Sequence, residues 1–252
     1  MKLSIIIPAY NEENRISRTL DYYARYYSEL QQQHALIVEI IVVLNGCKDN
    51  TAGVVQECQK KYPMIRMLEI QHAGKGLAIA AGFKHALTRT NDIIGFVDAD
   101  MATSPGQFNN LVDALKATHY DGAIASRYMP GSKVFPARPR IKRWGSKIVY
   151  ENMIRLLFRM NYYDYQCGAK LFKRAVIQAI APQLTIAQWA FDVEVLYLCK
   201  KNGFKILEVA TIWHDQADSK LKIMRSGLRM LSALVRLRIN HSRFSKVNHR
   251  SV

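Results

Sequence analysis

No stretch of this 252-residue chain approaches the ~18 continuous apolar residues that a membrane span requires. Met1 to Tyr10 lacks the charged head and cleavage site of a signal peptide, and Ser4 to Pro8 reads as a short strand instead. A chain that stays in the cytosol is expected. Cysteine is scarce, and Cys47, Cys58, Cys167 and Cys199 show neither metal-ligand spacing nor a dense disulfide pattern, so unpaired thiols in a reducing compartment are expected. Internal repeats, low-complexity tracts and a clear interdomain linker are also missing. With 49% apolar residues, the chain can bury a sizeable core as one domain or as a domain with a small appendage.

Acid is short in two places. Residues 133 to 159 hold eight lysines and arginines against the single acid Glu151, and residues 220 to 252 hold nine and no acid. These two segments account for the whole net charge of +16 and leave the remaining body neutral. One such run reads most simply as a solvated helix face or a basic tail. Two runs holding the entire surplus point towards a phosphate-rich partner or an anionic surface. A nucleic-acid-binding protein would share this charge and a pI near 9.8, but no zinc-finger or RNP pattern accompanies it.

What is present is an alternation of strand and helix. Apolar runs at Leu3 to Pro8, Ile37 to Leu44, Ile65 to Ile70, Ile93 to Val97 and Gly122 to Ser126 predict strands. Helical patterns fall between them, from about Glu13 to Gln32, Thr51 to Tyr62, Gly76 to Thr88 and Pro105 to Thr118, with a further helix from Ala190 to Lys201. This is an α/β signature. The polar clusters Asn11-Glu12-Glu13-Asn14, Asn45 to Asp49 and Asp98-Ala99-Asp100 lie where strands end at their carboxyl side, the place where open α/β sheets bind ligands. Two carboxylates at Asp98 and Asp100, directly after a buried strand, suit a hard divalent cation shared with substrate phosphates. An acid-x-acid triplet is also common in turns and caps, so context has to decide.

The order of motifs supplies that context. Ser4-Ile5-Ile6-Ile7-Pro8-Ala9-Tyr10-Asn11-Glu12-Glu13, His72-Ala73-Gly74-Lys75-Gly76 and Asp98-Ala99-Asp100 resemble, in turn, the opening strand, the phosphate-side loop and the metal motif of glycosyltransferase family 2. Asp164-Tyr165-Gln166-Cys167-Gly168-Ala169-Lys170-Leu171-Phe172, Trp189 to Glu194 and Ser219-Lys220-Leu221 are similar to the branch that glycosylates polyprenyl phosphates. The resemblance runs over nearly the whole chain. It implies a GT-A-like nucleotide-sugar-binding fold, a mixed and mostly parallel central sheet flanked by helices, with basic amphipathic helices added. It implies a catalytic domain over residues 1 to 219, with 133 to 163 as its acceptor-side segment, and a basic C-terminal segment from 220 to 252.

The same resemblance assigns roles. The nucleotide sugar would meet Pro8, Ala9, Tyr10, Glu12, Asn45, Asp49, Lys75, Asp98, Ala99 and Asp100, with Mg²⁺ or Mn²⁺ on Asp98 and Asp100. The rival for Asn11 to Glu13 is an ordinary helix start with acids at its positive end, and for Lys75 a surface turn. Acceptor contacts would come from Arg127, Lys133, Arg138, Gln166, Lys170, Ser219 and Lys220, each equally readable as solvent-exposed. Asp100, Arg127, Asp192 and Lys220 are the candidate catalytic residues, Asp192 serving as general base only if the acceptor is a hydroxyl. Leu44-Asn45 stands where the family often has paired acids, which leaves the nucleobase open. Ala102 stands where mannosyl-transferring relatives often carry Gln, which favours the glucosyl branch, and Asp218 replaces the usual Gly before Ser219-Lys220.

The implied reaction is inverting transfer of a hexose, glucose from UDP-glucose before any other, to a dolichyl or other polyprenyl phosphate. GDP-mannose as donor and a saccharide hydroxyl as acceptor stay open. Met224, Leu228, Leu231 and Val235 recur at helical spacing, flanked by Gly227, Met230, Leu234 and Leu237, among Lys222, Arg225, Arg229, Arg236 and Arg238, and Trp144 to Tyr163 mixes Ile148, Val149, Met153, Leu156, Leu157 and Phe158 with Lys147, Arg155 and Arg159. Such helices can lie in an anionic lipid interface, each basic residue near the surface adding roughly 1 kcal/mol. The rival is that their apolar stripes pack on the core or on a second subunit. Peripheral attachment at the cytosolic face is therefore expected, with a membrane-protein partner or a homodimer left open.

Overall fold

The computed structural model describes residues 1–33, 36–136, 150–188, 190–214 and 223–241. The expected apolar runs form strands β1 (Lys2–Ala9), β2 (Ile37–Asn45), β3 (Ile65–Ile70), β4 (Ile93–Val97) and β5 (Gly122–Ser126). Four more, β7 (Ala169–Lys173), β8 (Ile206–Ala210) and a small pair β6 (Lys133–Phe135) with β9 (Ile212–His214), complete the strands among the described residues. The main sheet has the order β3-β2-β1-β4-β7-β5-β8. All its pairings are parallel except those of β7, which runs antiparallel between β4 and β5.

Strand alternation sorts the core into two layers. Ile5, Ile7, Val42 and Leu171 face one apolar cluster with α1 (Ile16–Gln33) and α4 (Pro105–Lys116), and Val55 of α2 (Thr51–Lys61) joins them. Ile6, Val43, Phe96 and Phe172 face the other, under α3 (Lys75–Leu87), α5 (150–158), α6 (Arg174–Ile180) and α7 (Phe191–Lys201). Central strands covered on both faces read as continuous apolar runs, which is why β1, β2 and β4 were legible. Phe96 sits edge-on between Phe83 and Phe191, at centroid distances of 6.1 and 6.3 Å. Truncating such a ring typically costs about 3–5 kcal/mol.

Helix α1 starts at Ile16, three residues later than the pattern suggests. The reason lies in its acids. The Glu12 carbonyl accepts from the Ile16 amide at 2.9 Å, while the Glu12 and Glu13 amides donate to Thr51 Oγ1 and Asp49 Oδ2 across the neighbouring loop. Residues 13 to 15 therefore form a turn bound to the β2–α2 loop. At α4 the start is as expected, Ser104 accepting from the Gln107 amide at 3.3 Å with Pro105 at the first helical position.

Helices occupy residues 150–158 and Ile223–Asn240, and only part of each expected apolar set is buried, residues 144–149 lying outside the described residues. In α8 (Ile223–Asn240), Leu234 and Leu237 join the second core cluster while Val235 is 43% exposed. In α5, Ile154 and Phe158 are buried and Leu156 is 80% exposed. The buried residues of both helices join the second core cluster, where Phe158 meets the Tyr197 ring of α7 at 4.9 Å. No helix among the described residues is long and apolar enough to cross a membrane.

Candidate active site

Asp98 and Asp100 leave the end of β4 in a turn fixed from several sides. The Asp98 amide donates to the Gly168 carbonyl at 3.1 Å, Thr19 Oγ1 donates to the Ala99 carbonyl at 2.7 Å, and the Tyr23 hydroxyl donates to the Thr103 carbonyl at 2.9 Å. Met101 takes a left-handed φ of 60°, and the Ala102 amide reaches back to Asp100 Oδ1 at 3.0 Å. Gly168 is required here. A Cβ on it would lie 1.9 Å from Asp98 Oδ2. Burial, and then the neighbouring Asp98 charge, push the Asp100 carboxyl above its ordinary value.

This donor set fits a hard divalent cation. Two carboxylates sit two residues apart on a turn held by hydrogen bonds, which suits a hard divalent cation that takes oxygen ligands. No group of three or more His, Cys, Asp or Glu converges among the described residues. Mg²⁺ or Mn²⁺ held here by Asp98 and Asp100 would thus need oxygens from a bound diphosphate to fill its coordination.

Beside the turn runs a chain of alternating charges. Lys75, the first residue of α3, places Nζ 2.8 Å from Asp98 Oδ1 and 3.4 Å from Asp192 Oδ2. Asp192, in the first turn of α7, also meets Lys170 Nζ at 2.7 Å, and Lys170 donates a second bond to the Cys167 carbonyl at 2.6 Å. Both ammonium groups lie within 6 Å of the Phe96 ring centre. Burial works against the Lys75 charge, but Asp192 and Asp98 outweigh it and raise the ammonium above its usual range. Burial likewise opposes ionisation of Asp192, yet Lys170 and Lys75 hold its carboxyl below the ordinary value. A carboxylate so clamped has low proton affinity.

The nucleotide-side loops are cross-braced. Pro8 and Ala9 close β1, Tyr10 is 39% exposed, and Asn11 has a left-handed φ of 54°. Asn45 is buried, donating from Nδ2 to the Ala9 carbonyl at 2.9 Å and accepting from the Gly74 amide at 3.1 Å. It ties three loops together. Burial opposes ionisation of Asp49, but hydrogen bonds from the Thr51 hydroxyl first, and then from the Glu13 and Thr51 amides, hold its carboxyl below the usual value. Glu12 forms a fork with Arg15.

The acceptor-side candidates fare differently. Arg127 makes a bidentate pair with buried Asp164, Nε to Oδ2 at 2.6 Å and Nη2 to Oδ1 at 2.9 Å, and lies over the Trp213 and Tyr128 rings. Its fork is spent inside the protein. Lys170 is fully buried, Gln166 donates its amide to Asp164 Oδ1, and Lys133 is exposed on β6. Arg138, Ser219 and Lys220 lie outside the described residues. Asp164 lies in a motif that assigns it no role, and Glu208, which accepts from the Tyr163 and Asp164 amides, has no signal in the sequence, because pairing across β5, β7 and β8 brings them together. Two cavities of about 480 and 470 Å³ lie elsewhere, around Asn91, Asp92 and Arg174 near the start of β4, where Arg174 already donates to Leu87, Arg89 and Asn91.

Carboxylates at one strand end, facing a lysine at a helix start, are what a nucleotide-sugar transferase of GT-A fold needs. The chain belongs to glycosyl transferase family 2, whose model matches residues 4–181. A dolichyl-phosphate beta-glucosyltransferase of Dictyostelium discoideum is 34% identical over 250 residues, covering 95% of this chain and 74% of that protein. Glycosyltransferase AglD of Haloferax volcanii is 29% identical over 94% of this chain, which spans only 37% of AglD. Among solved structures, glucosyl-3-phosphoglycerate synthase from Mycobacterium tuberculosis in complex with Mn²⁺, UDP and phosphoglyceric acid matches with a TM-score of 0.68 at 15% identity, covering 94% of this chain and 78% of that one. That likeness speaks for the fold.

Proposed function

We propose that this glycosyltransferase moves glucose from UDP-glucose to a dolichyl or other polyprenyl phosphate, with inversion, at the cytosolic face of a membrane. The donor sugar and the lipid follow from the relatives named as dolichyl-phosphate beta-glucosyltransferases. The observation that carries the acceptor class is the clamp on Asp192. A hydroxyl acceptor needs a group ready to take its proton, and a carboxylate paired with Lys170 at 2.7 Å and Lys75 at 3.4 Å is a poor one. A phosphate monoester, with a second pKa near ~6, arrives ionised and needs orientation and positive charge rather than deprotonation.

Lys75 brings an ammonium and the positive end of α3 to the diphosphate side. Asp192 and Lys170 hold that lysine and the Cys167–Gly168 backbone in place. Tyr10 can border the base and ribose from the exposed end of β1. Mg²⁺ or Mn²⁺ bound by Asp98 and Asp100 would neutralise charge on the departing nucleotide diphosphate. Arg155, Arg159, Arg236 and Arg238, exposed on or beside α5 and α8, supply cations for an anionic bilayer.

The test offers radiolabelled UDP-glucose and GDP-mannose, with Mg²⁺ or Mn²⁺, to a polyprenyl phosphate in detergent, with Asp100→Ala as control. Lipid-soluble label from UDP-glucose, absent in the variant, is expected. Label from GDP-mannose instead would replace the donor. Metal-dependent transfer only to a saccharide, lost in Asp192→Ala, would overturn the acceptor class and restore Asp192 as base.

A further inference from the structure

Two residues beyond Asp192, the first turn of α7 carries a second acid with no part in the charge chain. Glu194 is fully buried, and its carboxylate accepts four contacts. Oε1 receives the Thr185 amide at 2.9 Å and Thr185 Oγ1 at 2.7 Å, and Oε2 receives the Ile186 amide at 2.8 Å. His241, just past the end of α8, brings Nε2 to 2.9 Å from Oε1 and rests edge-on against Tyr197 of α7.

The segment that Glu194 holds is pressed against the Lys75 turn. The Ala187 carbonyl accepts from the Gly76 amide at 2.9 Å. A Cβ on Gly76 would lie 2.2 Å from the Ile186 carbonyl, and one on Gly74 would lie 2.7 Å from that of Ala187. Residues 185 to 187 are thus a wedge between a buried carboxylate and the start of α3. If the wedge shifts, the Gly76 amide loses its partner and the origin of the Lys75 side chain moves with it.

We propose that Glu194 is a positioning residue for the donor-phosphate side of the site, acting through Thr185, Ile186 and the Gly74–Gly76 turn on Lys75, and that His241 makes the end of α8 part of this support. The proposal rests on the reading of the site as one for a nucleoside diphosphate. The physical ground is that a buried charge is tolerated when hydrogen bonds satisfy it, and removing one partner then disturbs every group it holds. Because Lys75 lies on the donor's diphosphate side, its misplacement is expected to weaken nucleotide binding and raise donor KM.

The experiment compares Thr185→Val, Thr185→Ser, Glu194→Gln and His241→Ala in the full chain, reading UDP and GDP affinity with Mg²⁺ by calorimetry and donor KM and kcat by transfer. Thr185 is exposed, so its substitution opens no cavity in the core, and the melting temperature of each variant checks the fold. Glu194→Gln sets an amide N–H against the Ile186 amide and is expected to weaken nucleotide binding and raise donor KM about tenfold, with kcat within about threefold. Thr185→Val and His241→Ala are expected to weaken binding about three- to fivefold, and Thr185→Ser to rescue it. Unchanged affinity in folded Thr185→Val and Glu194→Gln, or a lower melting temperature with donor KM unmoved, would overturn the proposal. Absence of UDP and GDP binding by the unsubstituted protein would instead refute the nucleotide-site reading itself.

Discussion

Gly168→Ala is the substitution whose effect can be worked most directly from the coordinates. The new Cβ would lie 1.9 Å from Asp98 Oδ2 and 2.3 Å from Asp98 Cγ, against an ordinary contact of 3.4 Å or more, so one side must yield by about 1.5 Å. The backbone at 168 is poorly placed to retreat, because its carbonyl accepts the Asp98 amide at 3.1 Å and β7 is paired with β4 from Ala169 onward and with β5 from Lys170. The Asp98 carboxylate should therefore swing away, breaking its 2.8 Å bridge to Lys75 and leaving the metal-side geometry. Displacement of a positioning group by ~1 Å can cost about 10²-fold in rate, and overpacking costs about 1–3 kcal/mol in stability. Transfer assays on protein checked by urea unfolding should show both losses. Gly106→Ala is the control, since a Cβ there meets only Tyr26 at 4.0 Å, and it should gain ~0.5–1 kcal/mol at full activity. Gly168→Ala with activity within twofold of normal would refute the argument that Asp98 is held where bare backbone permits.

Asn45→Asp should destabilise the protein by about 2 kcal/mol in urea unfolding, because it turns a buried donor to the Ala9 carbonyl into an acceptor; an unchanged midpoint would show that Asn45 does not tie the loops. Arg127→Ala should cost about 3–5 kcal/mol, since it strands the buried Asp164 charge; a loss confined to acceptor KM would return Arg127 to the lipid phosphate. Burial alone would raise the Asp164 carboxyl, but Arg127 holds it below its ordinary value, so its contribution to stability is present above pH ~4 and fades as pH falls through the lowered value. Unfolding midpoints from pH 3 to 7 should show this acid limb in the unsubstituted protein and a weaker one in Arg127→Ala. Cys167, buried and with its thiol pushed up to about 12 chiefly by that burial, and buried Cys199 should resist alkylation at pH 8 in the folded protein, while partly exposed Cys47 labels; rapid labelling of Cys167 would contradict its burial.

The sequence by itself determined the α/β alternation, the first five strands, and the placing of Asp98, Asp100, Lys75 and Asn45 at their carboxyl ends. Those features are local: apolar runs buried on both faces, caps, and polar residues at strand ends. It also marked Asp192, Lys170 and Arg127, by resemblance rather than by chemistry. Tertiary structure alone decided what these residues contact. Insertion of antiparallel β7 between β4 and β5 sets Gly168 against Asp98 and Lys170 near Asp192, over 20 residues away along the chain. Arg127 became half of a buried pair because β5 and the turn before β7 meet, and no period in the sequence carries that contact. Helical spacing showed that α5 and α8 are amphipathic, but which residues are buried depended on where the second core cluster lies, and so Leu234 and Leu237 are buried while Val235 is exposed. Periodicity reports that a helix has an apolar side; only its neighbours determine which residues that side contacts.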